Sequence, residues 1–249
     1  MNRTALRNVG ALARREMGFY FNSPVAYITI TLFLVVCGVY LFSMADVATG
    51  RSFFEDNEAS IRKLFDVIPV IFIFILPAIT MRLLAEEKRS GTIELLLTMP
   101  VTDGEIAVGK FLGGLAFLAI TLIATIPLPI LVGSLGNLDV GALVAGYIGL
   151  FLLGAAYLAI GLMASSWTDN QIVAYLIAAL ICAFFYAISG MVSAVWLGAR
   201  DAMNSLSFEA HFANITRGVI DTRDVLFYLS IVVIALVITV QSLQARNWK

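Results

Sequence analysis

The one stretch whose spacing suggests phosphate chemistry is Gly104-Glu-Ile-Ala-Val-Gly-Lys-Phe111. It nearly matches G-x-x-x-x-G-K-S/T, in which backbone amides cradle phosphates, the lysine reaches them and the final hydroxyl holds Mg²⁺. Phe111 stands in the hydroxyl's place, so no nucleotide site is read here. Lys110 reads instead as a headgroup anchor, and Gly109 with Gly113 as a lone small-residue pair that permits close helix approach. His211 is the only histidine; it reads as structural or solvent-facing, because no second histidine can join it in metal binding or catalysis. Cys37 and Cys182 lie in apolar runs and fit neither a disulfide framework nor metal-ligand spacing. Asn214-Ile-Thr216 matches a glycosylation sequon, which matters only in a secretory pathway. The catalytic, metal and cofactor-binding sets are all empty, and the chain is not read as an enzyme.

The segment richest in information is Arg82-Leu-Leu-Ala-Glu-Glu-Lys-Arg-Ser-Gly-Thr-Ile-Glu-Leu-Leu-Leu-Thr-Met-Pro-Val-Thr-Asp-Gly-Glu105. A helix entering it can run to Arg89, whose cation suits a helix C-terminus. Ser90-Gly91 stops that helix, glycine taking the left-handed cap. Thr92 can cap a new helix, and Pro100 ends it after about two turns. That short helix would carry Ile93, Leu95, Leu96, Leu97 and Met99. A patch so apolar on a loop wants a partner surface; the alternative is that it dips into the bilayer.

The elements that must position this loop are membrane spans. Of 249 residues, 60% are apolar and only 13% charged, against roughly 25% charged in a soluble domain. A net charge of −1 supplies no field to attract a polyanion such as nucleic acid. The charged residues all fall outside the runs 17–45, 67–81, 111–138, 140–168, 170–199 and 225–245. A spanning helix needs about 20 apolar residues. The 67–81 run is short, but Leu83, Leu84 and Ala85 extend it if Arg82 snorkels to the headgroups. The expectation is an all-α integral membrane protein with six spans near 24–45, 65–85, 107–133, 140–165, 170–197 and 224–244.

Six spans put both termini on one side. Arg3, Arg7, Arg14, Arg15, Arg82, Lys88, Arg89, Lys110, Arg246 and Lys249 fall there, leaving six basic residues opposite. The positive-inside rule makes that side cytoplasmic. Residues 1–23 read as an interfacial amphipathic helix, because Leu6, Val9, Ala13, Met17 and Tyr20 recur at helical spacing; an ordinary charged flank is the alternative. The whole chain, 1–249, is expected to be one transmembrane domain. Its 86–105 loop is cytoplasmic, and 198–222 is an extracytoplasmic loop holding short helices.

Glu86-Glu87-Lys88-Arg89-Ser90-Gly91-Thr92-Ile93-Glu94-Leu95-Leu96-Leu97-Thr98-Met99-Pro100-Val101 resembles the signature loop of type 2 ABC permeases. Arg15-Glu16 with Phe19–Tyr27, and His211-Phe212 with Arg217–Asp224, are similar to the gliding-motility-associated branch. The resemblance implies that Thr92–Met99 is a coupling helix docking into a separate ABC ATPase, with Glu86 and Glu87 at the end of the gate helix beside it. The ATPase-coupling set is therefore Glu86, Glu87, Gly91, Thr92, Ile93, Glu94, Leu95, Leu96, Leu97 and Met99. It further implies a second permease copy or a paralogue, an accessory membrane or extracytoplasmic subunit, and ATP and Mg²⁺ bound only by the ATPase partner. The setting implied is a bacterial inner membrane, and the activity that of a permease, an exporter by this reading. The alternatives are a scaffold or mechanotransmitter driven by an ATPase, and a carrier that needs none.

Overall fold

The computed structural model describes residues 3–43, 61–92, 101–136, 138–193 and 204–245. Among them every regular element is a helix. In chain order these are α1 (Arg3–Phe21), α2 (Pro24–Ser43), α3 (Arg62–Thr80), α4 (Arg82–Arg89), α5 (Asp103–Ala124), α6 (Pro127–Leu135), α7 (Val140–Trp167), α8 (Gln171–Ser193), α9 (Phe208–Ile215) and α10 (Thr222–Ala245). Six stretches are long and apolar enough to cross a membrane: Pro24–Phe42, Arg62–Arg89, Asp103–Leu135, Val140–Trp167, Gln171–Gly190 and Thr222–Ala245. The chain is a multi-pass membrane protein.

Two spans are longer than expected because each is broken. The second turns at Met81, between α3 and α4, four residues after Pro77. Thr80 Oγ1 donates back to the carbonyls of Leu76 and Pro77, the i−4 and i−3 acceptors of its own turn. The third span breaks at Thr125 and Ile126, and Pro127 opens α6. Thr125 Oγ1 lies 2.6 Å from the Leu122 carbonyl and 2.9 Å from the Tyr147 hydroxyl.

The third span also starts earlier than position 107. Thr102 accepts from the Glu105 amide while the Glu105 carboxylate accepts from the Thr102 amide, a reciprocal cap that fixes the start at Asp103. The last residues of the expected 86–105 loop are therefore helical.

α7 is the central pillar: 67% of its most apolar stretch is buried within the chain, against 22% for α2, α8 and α10. It packs on α3, α5, α8, α9 and α10. Its small residues allow this, with the ring of Phe65 at Gly146, Phe212 and Ile215 at Gly149, and Leu118 at Gly154. α2, α8 and α10 instead turn apolar faces outward, as hydrocarbon permits.

α9 does not lie across the helix ends. Phe208 is fully buried among Tyr157 of α7, Phe185 of α8, and Phe227 and Tyr228 of α10. Its carbonyl accepts a 2.8 Å bond from the Tyr228 hydroxyl. Tyr228 is six residues into α10, so this bond ties the start of α9 to the second turn of that helix. Of the expected 198–222 loop, residues 198–203 lie outside the described residues.

Candidate functional site

The segment singled out by sequence begins at the end of α4. Ser90 N closes on the Glu86 carbonyl, and Gly91 takes φ of 71°, the left-handed conformation that ends a helix. Ser90 Oγ and Thr92 Oγ1 lie 2.9 Å apart, and Ser90 Oγ also donates to the Glu86 carbonyl. Glu86, Arg89, Gly91 and Thr92 are exposed, and Glu87 is half-buried. Ile93, Glu94, Leu95, Leu96, Leu97 and Met99 lie outside the described residues.

The face of α4 opposite Glu86 is fixed to α7. Ser165 Oγ accepts from the amides of Leu84 (3.1 Å) and Ala85 (3.0 Å) and donates to the Met81 carbonyl (2.8 Å). A hydroxyl from another span thus caps the first turn of α4. Lys88 Nζ donates to the Ser166 carbonyl, which also accepts from Ser242 Oγ of α10. These bonds gather α4, the C-terminal ends of α7 and α10, and α1 with the start of α5 at one end of the bundle.

Here one expectation is overturned. Lys110 is not a headgroup anchor. It is 1% exposed, and its Nζ donates 2.8 Å bonds to Glu16 Oε1 of α1 and Glu87 Oε1 of α4. A lysine one-third of the way along an apolar helix is normally expensive to bury; here two carboxylates offset that cost. Glu16 is 6% exposed. The second oxygen of Glu87 is buried and has no hydrogen-bond partner among the described residues.

α1 reaches Lys110 because the glycine pair flanking it removes side chains from the contact. A Cβ on Gly109 would sit 2.7 Å from Leu12 Cβ, and one on Gly113 would sit 2.6 Å from Glu16 Cβ. α1 therefore packs along α5 rather than resting on a bilayer by itself. Val9 and Tyr20 of the predicted stripe are buried, whereas Leu6 is exposed. Arg82 sits over the Tyr20 ring at 5.1 Å. Burial, and secondarily the Glu16 carboxylate, push the Tyr20 hydroxyl well above its ordinary pKa, while Arg82 opposes them.

The sequence reading missed Lys110 and Glu16 as members of this site. The signal available was a lysine and a glutamate placed inside the two apolar helical stripes. At the opposite end, His211 is tied into the fold: Nδ1 lies 2.5 Å from Asp224 Oδ1, Nε2 lies 3.1 Å from the Ser205 carbonyl, and the ring stacks on Phe227 at 4.0 Å. A cleft of about 710 Å³ opens between α5, α6 and α7, walled by Leu122, Ile126, Pro129, Tyr147 and Phe151. It offers hydrocarbon contact and no charge. Among the described residues no cluster of His, Cys, Asp and Glu could hold a metal ion.

No curated protein matches the chain. A family profile described as ABC-2 family transporter protein matches residues 26–239, which takes in four spans whole, all but the ends of the first and last, and the 86–105 loop. With six spans, a capped helix end leading into that loop, and a match over most of its length, this chain belongs to the ABC-2 family of transporter proteins, as a membrane permease of an ABC transporter.

Proposed function

We propose that this permease transmits ATP-driven work from a separate ABC ATPase to export of a substrate across a bacterial inner membrane, with both termini in the cytoplasm. The observation that carries this reading is the construction of α4. Its first turn is held by Ser165 and its last by Lys88–Ser166 and Glu87–Lys110, and it leads directly into Gly91-Thr92. A force applied beyond Thr92 would reach two other helices, α7 and α5, through those contacts. Thr92–Met99 is the coupling helix in this reading, and Glu86, Glu87 and Glu94 supply its acidic border. ATP and Mg²⁺ are bound by the ATPase partner. A second copy or a paralogue completes the pathway, an accessory subunit joins it, and the gliding-motility-associated branch is the part of the family that the 15–27 and 211–224 segments resemble. The whole chain acts as one permease domain, with 1–23 as its interfacial helix and 198–222 facing outward.

Leu96→Asp tests the reading. Fully burying a leucine is worth about 1.5–3 kcal/mol, and aspartate adds the cost of desolvating a charge. Docking of the ATPase should weaken by about 100- to 1,000-fold, while membrane insertion is retained. Retention of the ATPase on purification, with ATPase activity in liposomes at the wild-type level, would remove the coupling role from this helix.

A further inference from the structure

The three-charge joint at Lys110 is asymmetric. Its Glu16 side belongs to one tightly packed body: α1 lies on α5 with the stem of Glu16 against Gly113, and Lys110 itself is on α5. Its Glu87 side crosses a sparse boundary. α4 packs chiefly on α7, less on α8, and least on α1 and α5. What joins α4 to the α1–α5 body is the Glu87–Lys110 ion pair and the Arg82 guanidinium over Tyr20. Ser165 and Lys88, by contrast, fasten α4 to α7. α5 and α7 meet one turn deeper, at Gly114 against Leu158 and Leu118 against Gly154.

The charge count has the same asymmetry. Two carboxylates share one ammonium, so Lys110 keeps a buried counter-ion when either carboxylate leaves. Glu16 is pinned by packing and cannot leave easily. Glu87 is half-buried, holds Lys110 by one oxygen, and its other oxygen is unbonded among the described residues. A buried ion pair is costly to break when the separation strands a charge. Here separation strands none at Lys110, and Glu87 sits one turn from exposed Gly91 and Thr92, where water can take it up.

We propose that Glu87–Lys110 is a releasable latch between the α4–α7 body and the α1–α5 body, with Glu16 as the competing partner that holds Lys110 when the latch opens. Lys110, Glu16 and Glu87 are positioning residues. The inference rests on the coupling reading for what opens the latch, since a pull on the segment after Thr92 is taken up by the last turn of α4, which carries Glu87 and Lys88. Glu16 lies outside the residues matched to the family.

The competition gives the two isosteric variants opposite signs, which a merely structural role does not. Spin labels at exposed Ala11 and Arg89, in a Cys37→Ala/Cys182→Ala background, report the separation of α1 from α4. The sample is the full chain with its ATPase subunit in nanodiscs, with and without MgATP and vanadate. Glu87→Gln should raise the separated population without nucleotide by about tenfold or more over a minor wild-type fraction. Glu16→Gln leaves Lys110 with Glu87 alone, so it should suppress the separated population and blunt the response to nucleotide. Shifts in the same direction, or an unchanged nucleotide-free distribution in Glu87→Gln, overturn the latch. A wild-type distance that ignores nucleotide, with the two variants still displaced oppositely, overturns the coupling reading and leaves the latch in place.

Discussion

At the α1 end of the bundle, one lysine and two carboxylates join α1, α4 and α5, and a serine hydroxyl joins α4 to α7. At the opposite end, α9 is held between α7, α8 and α10 chiefly by rings, with Phe208 at the centre. Ring packing is short-ranged and spread over many atoms, so it is lost only by opening the whole contact. An ion pair concentrates the same order of energy in one or two bonds, and can be exchanged for another partner. The first arrangement suits a part that must stay put, the second a part that must change partners.

The largest expected effects fall at the two centres. Lys110→Met leaves Glu16 and Glu87 buried without a cation and should cost about 3–5 kcal/mol. The neutral triple variant Glu16→Gln/Lys110→Met/Glu87→Gln should recover most of that loss. Denaturant titration in detergent measures both; a triple variant no better than the single one would mean that the joint is held by shape rather than charge. Phe208→Ala should cost a similar 3–5 kcal/mol through the cavity it leaves. No change of charge elsewhere should repair it, and only the α9 end should gain hydrogen exchange. Exchange rising equally at α1 and α4 would erase the contrast between the ends.

Intermediate effects are expected at the glycine contact. Gly109→Ala places a Cβ against Leu12 and should cost about 1–3 kcal/mol through overpacking. Displacement of α1 should also be visible as increased proteolysis near Arg14 and Arg15. A thermal transition equal to wild type would mean that α1 is not seated on α5.

The smallest effect should come from Ser165→Ala. It removes one oxygen that caps two amides of α4, a loss of about 1–2 kcal/mol. Amide exchange at Leu84 and Ala85 should accelerate, with little change at Phe208. No acceleration there would show that α4 is held by Glu87 and Lys88 alone.

The six spans, the stop at Ser90-Gly91 and the entry into the 92–99 segment could be read from composition and turn chemistry, because a bilayer admits few alternatives to an apolar helix. The stripe on residues 1–23 was equally legible as a helix with one apolar face. What sat opposite that face was not. Periodicity describes one helix at a time, and Glu16 entered only with Arg15 as part of a family resemblance. Lys110 showed the same limit more sharply: a lysine at the start of a span reads as an anchor, since water or headgroups are the usual partners of its ammonium. Its true partners are 94 and 23 residues away in sequence. Only the close approach of α1 at Gly109 and Gly113, together with the seating of α4 on α7, brings the two carboxylates to within 2.8 Å of one nitrogen. Local chemistry therefore determined where the chain crosses, turns and ends its helices. Which charges it could bury was decided by tertiary packing, because the cost of burying a charge depends on partners that no local pattern encodes.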